Sequence, residues 1–148
     1  MATNTDVEQT FSITCTGEEK TSALVERGRY DWTDRLVRND LFPIKPHESE
    51  ERKIVLISFE YSLTSEEVLA EFERRGLERP TLEDALVFGV TYPDEQRKYY
   101  IAFLHEPVQV DGSRNVLVLG EYTGERYLGL GWFGVRWGRS GVFAAVRK

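Results

Sequence analysis

Between residues 120 and 141, seven glycines (positions 120, 124, 129, 131, 134, 138 and 141) interleave with Tyr122, Tyr127, Trp132, Phe133 and Trp137. Large aromatic side chains are depleted in disordered linkers, and the spacing has no fixed period, so neither a linker nor a repeat accounts for this stretch. Glycine-rich, twisted strands joined by tight loops do account for it. The C-terminal third of the chain must therefore be sheet, and the rest has to supply whatever packs against it.

Upstream, residues 8–16 alternate Phe11, Ile13 and Cys15 with Thr10, Ser12 and Thr14, the period-two pattern of a half-buried strand. Residues 18–27 direct Ala23 and Leu24 inward and run into Gly28, which reads as a short helix stopped by a glycine. Tyr30, Trp32, Leu36, Val37, Leu41 and Phe42 are apolar anchors in a segment without a clear period. Residues 43–52 hold two prolines and three glutamates and read as an exposed loop before a strand at 53–59, whose Ile54, Val55, Leu56 and Ile57 are apolar enough for a central position. Thr64 and Glu67 form a capping box for a helix over 65–75 closed by Gly76. Thr81 and Asp84 start another over 82–88 with Gly89 as its stop. Beyond the Tyr92-Pro93-Asp94 turn the pattern is β: residues 99–104, 108–110, a turn at 111–113, 116–119, and a terminal apolar strand at 142–148 that places its end inside the sheet.

The fold class is α+β, with two or three short helices and a mainly antiparallel sheet. At 148 residues the chain has the size of one domain, spanning 1–148, and a composition of 41% hydrophobic and 30% charged residues is that of a globular protein. Met1 to Thr10 carries neither the basic start nor the apolar stretch of a secretion signal, and no apolar run reaches the roughly 20 residues that span a bilayer. A cytoplasmic location and no membrane partner are the expectation. The single cysteine, Cys15, makes no internal disulfide and reads as a small buried hydrophobe. The net charge of −6 is uneven, since residues 125–148 hold five basic side chains and one acid. An acidic body disfavours general attraction to nucleic acid or anionic membrane, while a local basic patch can still meet a carboxylate, a phosphate or an acidic partner.

The helix start Arg79-Pro80-Thr81-Leu82-Glu83-Asp84, the short Gly/Trp-rich strands after it and the closing Val142 to Arg147 strand together resemble bacterial domains of the C-type-lectin-like fold, including relatives of the formylglycine-generating enzymes. Residues 79–148 also resemble small uncharacterised bacterial proteins with a similar helix start and a Phe-Ala-Ala-Val-Arg-Lys end. The resemblance covers just under half the chain and implies a scaffold that displays loops for binding. Calcium-dependent sugar binding is not carried over, because no Glu-Pro-Asn or Trp-Asn-Asp motif occurs. Oxidase chemistry is not carried over either, because no cysteine lies in the matching region.

Catalytic candidates are few. His47, in Pro46-His47-Glu48-Ser49-Glu50-Glu51, stands among carboxylates at a spacing that matches no known metal motif. His105 and Glu106 follow a strand, where a base can sit near an acid, but adjacent strand residues face opposite ways. A Cys15–His105 nucleophilic pair needs a proximity that the sequence does not supply. Gly129-x-Gly131-x-x-Gly134 fits the dinucleotide pattern in letters only, since no helix follows it. No catalytic residue, metal ligand or cofactor is assigned.

Binding candidates are richer: Arg126, Tyr127, Trp132, Arg136, Trp137 and Arg139 combine planar stacking surfaces with guanidinium donors. With Trp132, Gly134 and Arg136 on one strand face and Phe133, Val135 and Trp137 on the other, one face is core and the other is free to stack a base, a sugar ring or a partner's aromatic residue. The leading expectation is a non-catalytic binding module for a protein, peptide or glycan, and an exposed Trp/Phe face equally suits a homo-oligomer. The alternatives are a small hydrolase or transferase using His105 with a nearby carboxylate, and single-stranded nucleic-acid binding by the basic C-terminal segment.

Overall fold

The computed structural model describes residues 9–148. Glu8, the expected start of the first strand, and most of the segment read for a signal lie outside them. The chain is an α+β domain built on one mixed, mostly antiparallel sheet. Along its main path the strands run β1 (Thr10–Cys15), β3 (Glu50–Ile57), β11 (Gly141–Arg147), β6 (Tyr100–Ala102), β8 (Ser113–Tyr122), β9 (Glu125–Trp132) and β2 (Trp32–Thr33). Two short strands flank that path: β5 (Leu77–Glu78) pairs with β11, and β7 (Val108–Val110) pairs with β8. β4 (Leu63–Thr64) and β10 (Arg136–Trp137) form a separate small ribbon. The parallel pairs are β11 with β6 and β2 with β9.

Helices cover both faces of the sheet. On one lie α1 (Thr21–Gly28) and α3 (Leu82–Thr91), over Phe11, Ile13, Ile54, Ile101, Leu117, Leu119 and Leu128. α3 is apolar nearly all round and buried from Glu83 to Gly89, as befits a helix lodged between the sheet and α1. On the other face α2 (Ser65–Arg74) sets Val68 and Phe72 against Val55, Ile57, Phe143 and Ala145, while Phe133 and Trp137 close over Val116 and Val118. The single-turn α4 (Glu95–Lys98) precedes β6. Among the described residues no helix is long and apolar enough to cross a membrane.

Both capping boxes form, with Thr64 and Thr81 hydroxyls accepting from the Glu67 and Asp84 amides and the two carboxylates accepting in return. Gly76, at φ 75°, closes α2 as expected. The other two helix stops differ from the sequence reading. α1 includes Gly28 and hands the left-handed position to Arg29, at φ 51°, while α3 continues past Gly89 to Thr91. One ring explains both. A Cβ on Gly28 would come within 2.4 Å of the Tyr30 ring, and one on Gly89 within 1.9 Å of its hydroxyl. These glycines make room for Tyr30 rather than ending helices. β3 likewise begins at Glu50, inside the expected loop, because β1 pairs with it as far as Cys15 opposite Glu50.

Candidate functional site

The six residues expected to form one binding surface are distributed over several environments. Arg126 is buried at 5% exposure, beneath α1, α3 and α4. Its Nε donates to the Pro93 carbonyl, one terminal nitrogen to those of Gly28 and Arg29, and the other to that of Gly89 and to Gln96 Oε1. Trp137 is buried at 8%, and its indole N–H donates to Ser65 Oγ at 2.8 Å. Both serve the framework and offer no contact surface. Arg136 is exposed, donates to the Ser62 carbonyl and lies 4.0 Å from Glu67. Arg139 is exposed beside Phe59 and Glu60. Trp132, 66% exposed, stands opposite Asn115 at the end of β9, next to a shallow hollow with Ser113, Arg114 and Gly134.

Tyr127 belongs to a different set, which the sequence reading did not assemble. Trp32 pairs with Tyr127 across β2 and β9, Tyr127 with Gly120 across β9 and β8, and Tyr100 with Gly141 across β6 and β11. The β6–β8 register, Ile101 opposite Leu119, brings Tyr100 alongside Gly120. The result is one transverse row of Trp32, Tyr127, Gly120, Tyr100 and Gly141. Rings lie over the glycines: a Cβ on Gly120 would meet the Tyr127 hydroxyl at 2.4 Å, and one on Gly141 the Tyr100 ring at 3.2 Å. Trp32 and Tyr127 meet edge to face at 6.3 Å. Trp32 is 55% exposed and Tyr100 37%, while Tyr127 is half-buried between them. Burial raises the phenol pKa of Tyr127, and that of Tyr100 to about 12.

A second feature is a cleft of about 380 Å³ at the start of α3, with Cys15, Arg52 and Asp84 among its lining residues. Pro43, Ile44, Lys45 and His47 line it from the segment before β3, and Arg79 to Glu83 from the approach to α3 and its first turn. Every acid or base at its heart is already engaged. Asp84, fully buried, accepts from Arg52 Nε at 3.0 Å and from a terminal Arg52 nitrogen at 2.7 Å, and also from the Thr81 amide and the Cys15 thiol. Burial and the neighbouring Asp84 and Glu83 carboxylates push the thiol pKa far up, so Cys15 stays protonated. Glu83 joins Gly17 N–H at 3.0 Å to His47 Nε2 at 2.6 Å.

His105 also borders the cleft but is only 1% exposed. Its Nε2 accepts the Leu117 N–H at 3.0 Å, which makes it the Nδ1–H tautomer, and that N–H donates to the Glu106 carbonyl at 2.7 Å. Burial lowers its pKa to about 4. Neither ring nitrogen is free to take a proton from a substrate, and Glu106, which also lines the cleft, is paired with Arg79 at 3.1 Å. Around His47, no three His, Cys, Asp or Glu side chains among the described residues converge on a possible metal position. Compared with protein-family models, curated proteins and solved structures, the chain matches none.

Proposed function

We propose that this protein is a non-catalytic interaction module whose contact surface is the aromatic row of Trp32, Tyr127 and Tyr100. The observation that carries the reading is the placement of these rings: the sheet register aligns them in one row on glycine neighbours, with Trp32 and Tyr100 exposed, beyond the parts of that face covered by α2 and by Phe133 and Trp137. Rings held by the register of a sheet lose little freedom on binding, so their apolar area converts efficiently into affinity for a protein, peptide or glycan. A scaffold of C-type-lectin-like type suits such a role. The engagement of Cys15, Arg52, Glu83, Asp84 and His105 with protein partners also favours holding over reacting.

The test is a binding screen against peptide and glycan arrays, followed by titration of a hit using tryptophan fluorescence. Trp32→Ala and Tyr100→Ala are expected to weaken binding at least tenfold, and Trp132→Ala to leave it unchanged. Loss of binding in Trp132→Ala alone would move the surface to the far end of β9. Affinity that falls steeply with added salt would favour the nucleic-acid alternative.

A further inference from the structure

The segment 43–49 connects Phe42, which is fully buried and accepts the Thr21 hydroxyl on its carbonyl, to Glu50 at the start of β3. Among the described residues, this segment makes one hydrogen bond to another element of the fold, and that bond is the 2.6 Å contact from His47 Nε2 to Glu83 Oε1. The turn after β1 packs against the same point, since a Cβ on Gly17 would lie within 2.3 Å of the His47 carbonyl. Pro43, Ile44, Lys45 and His47 thereby form one wall of the cleft, facing Pro80, Thr81 and Leu82.

The chemistry of that contact depends on a proton. His47 Nδ1 lies 2.6 Å from the Glu48 carbonyl, which only accepts, so this contact is a hydrogen bond only when Nδ1 carries a proton. Nε2 then faces a carboxylate oxygen whose partner oxygen already accepts from Gly17. The two ring contacts are both hydrogen bonds only while the imidazole–carboxylate pair holds one further proton. A neutral ring has a single N–H and leaves one of the two contacts as opposed lone pairs. The charged groups facing His47 are Glu83 from α3 and Glu50 from β3, with Lys45 in its own segment and Arg52 and Asp84 on the cleft floor. We propose that residues 43–49 are a proton-latched strap, held against the cleft by His47 and Glu83 and loosened when that proton is lost.

The direction is fixed by linkage. Hydrogen bonding to Glu83, then to the Glu48 carbonyl, raises the His47 pKa above its ordinary value. The latch therefore contributes fully below the unfolded histidine's pKa of about 6.5 and is lost as the pH rises through the raised folded value. Because His47 is largely exposed, release is local and leaves the sheet intact.

Cys15, the sole cysteine, is on the cleft's lining and reports its opening. The experiment measures the rate of Cys15 alkylation by iodoacetamide in the full chain between pH 6 and 9, for wild type and for His47→Ala. Cys15 stays protonated in the closed cleft, so alkylation proceeds from the opened state, whose thiol ionisation is common to both proteins and cancels in the ratio of the two rates at each pH. The variant is expected to react at least fivefold faster at pH 6, with the ratio falling towards one by pH 9. His47→Lys, which keeps a cation opposite Glu83, is expected to stay closed across the range. A ratio of one at every pH, or a raised ratio that does not change with pH, overturns the proposal. Far-UV circular dichroism on each variant confirms the fold, and the His47→Lys comparison still decides the matter if His47→Ala is unfolded.

Discussion

The guanidinium of Arg126 lies 4.7 Å from the centre of the Tyr30 ring, and its hydrogen bonds bind the end of α1 to the last turn of α3. A delocalised cation at two helix C-termini, facing an aromatic ring, is favoured by both macrodipoles and by the ring quadrupole. Lysine has neither the planar fork nor enough donors for these acceptors. Arg126→Lys should therefore cost on the order of 3 kcal/mol in chemical denaturation, by leaving buried carbonyls unpaired.

The Tyr30 hydroxyl, buried with no hydrogen-bond partner among the described residues, predicts a coupling between two sites. Tyr30→Phe removes an unpaired polar atom and should leave stability unchanged or raise it by up to about 1 kcal/mol. Gly89→Ala alone should destabilise, because its methyl group would sit on that hydroxyl. Combined with Tyr30→Phe, the same change should recover much of the loss, since alanine is better than glycine within a helix by about 1 kcal/mol. A double-mutant cycle of unfolding free energies measures the coupling, and simple additivity would refute this account of Gly89.

The two histidines act in opposite pH directions. His105 is buried and neutral with a pKa near 4, below that of an unfolded histidine, so the unfolded chain binds more protons between pH 6.5 and 4. Its contribution, on the order of 3 kcal/mol, is complete above pH 6.5 and disappears as the pH falls towards 4. His105→Gln should flatten the acid limb of the stability curve even though it lowers stability at pH 7. NMR titration should show no protonation of the His105 ring above pH 5, while His47 titrates above 6.5.

Asp84 accepts hydrogen bonds from the Thr81 amide, Arg52 and Cys15. Asp84→Asn retains the shape but leaves a partly buried guanidinium with the more distant Glu50, at 4.0 Å, in place of its buried partner, at an expected cost of about 3 kcal/mol. Thermal unfolding at pH 7 measures it.

Capping boxes were legible because they are written within four residues, and so was the strand alternation of β1. The roles of Arg126 and Trp137 were not. Arg126 finds its partners at positions 28, 29, 89, 93 and 96, and an arginine that binds carbonyls is spelled the same way as one that binds a ligand. The expected alternation held for Trp132, Phe133, Arg136 and Trp137, but Val135 is 39% exposed because the turn from Trp132 to Val135 interrupts the strand. The aromatic row was hidden for another reason. It draws on residues 32, 100 and 127, and only the sheet register aligns them.

β11 lies between β3 and β6, and the main sheet path passes from β1–β3 to β6–β8–β9 only through it. Until the ribosome has released Gly141–Arg147, the strands made earlier form two pieces with unpaired edges facing each other. The sheet can therefore be completed only after synthesis of that strand, and a nascent chain stalled before it would present those edges to chaperones or to its neighbours.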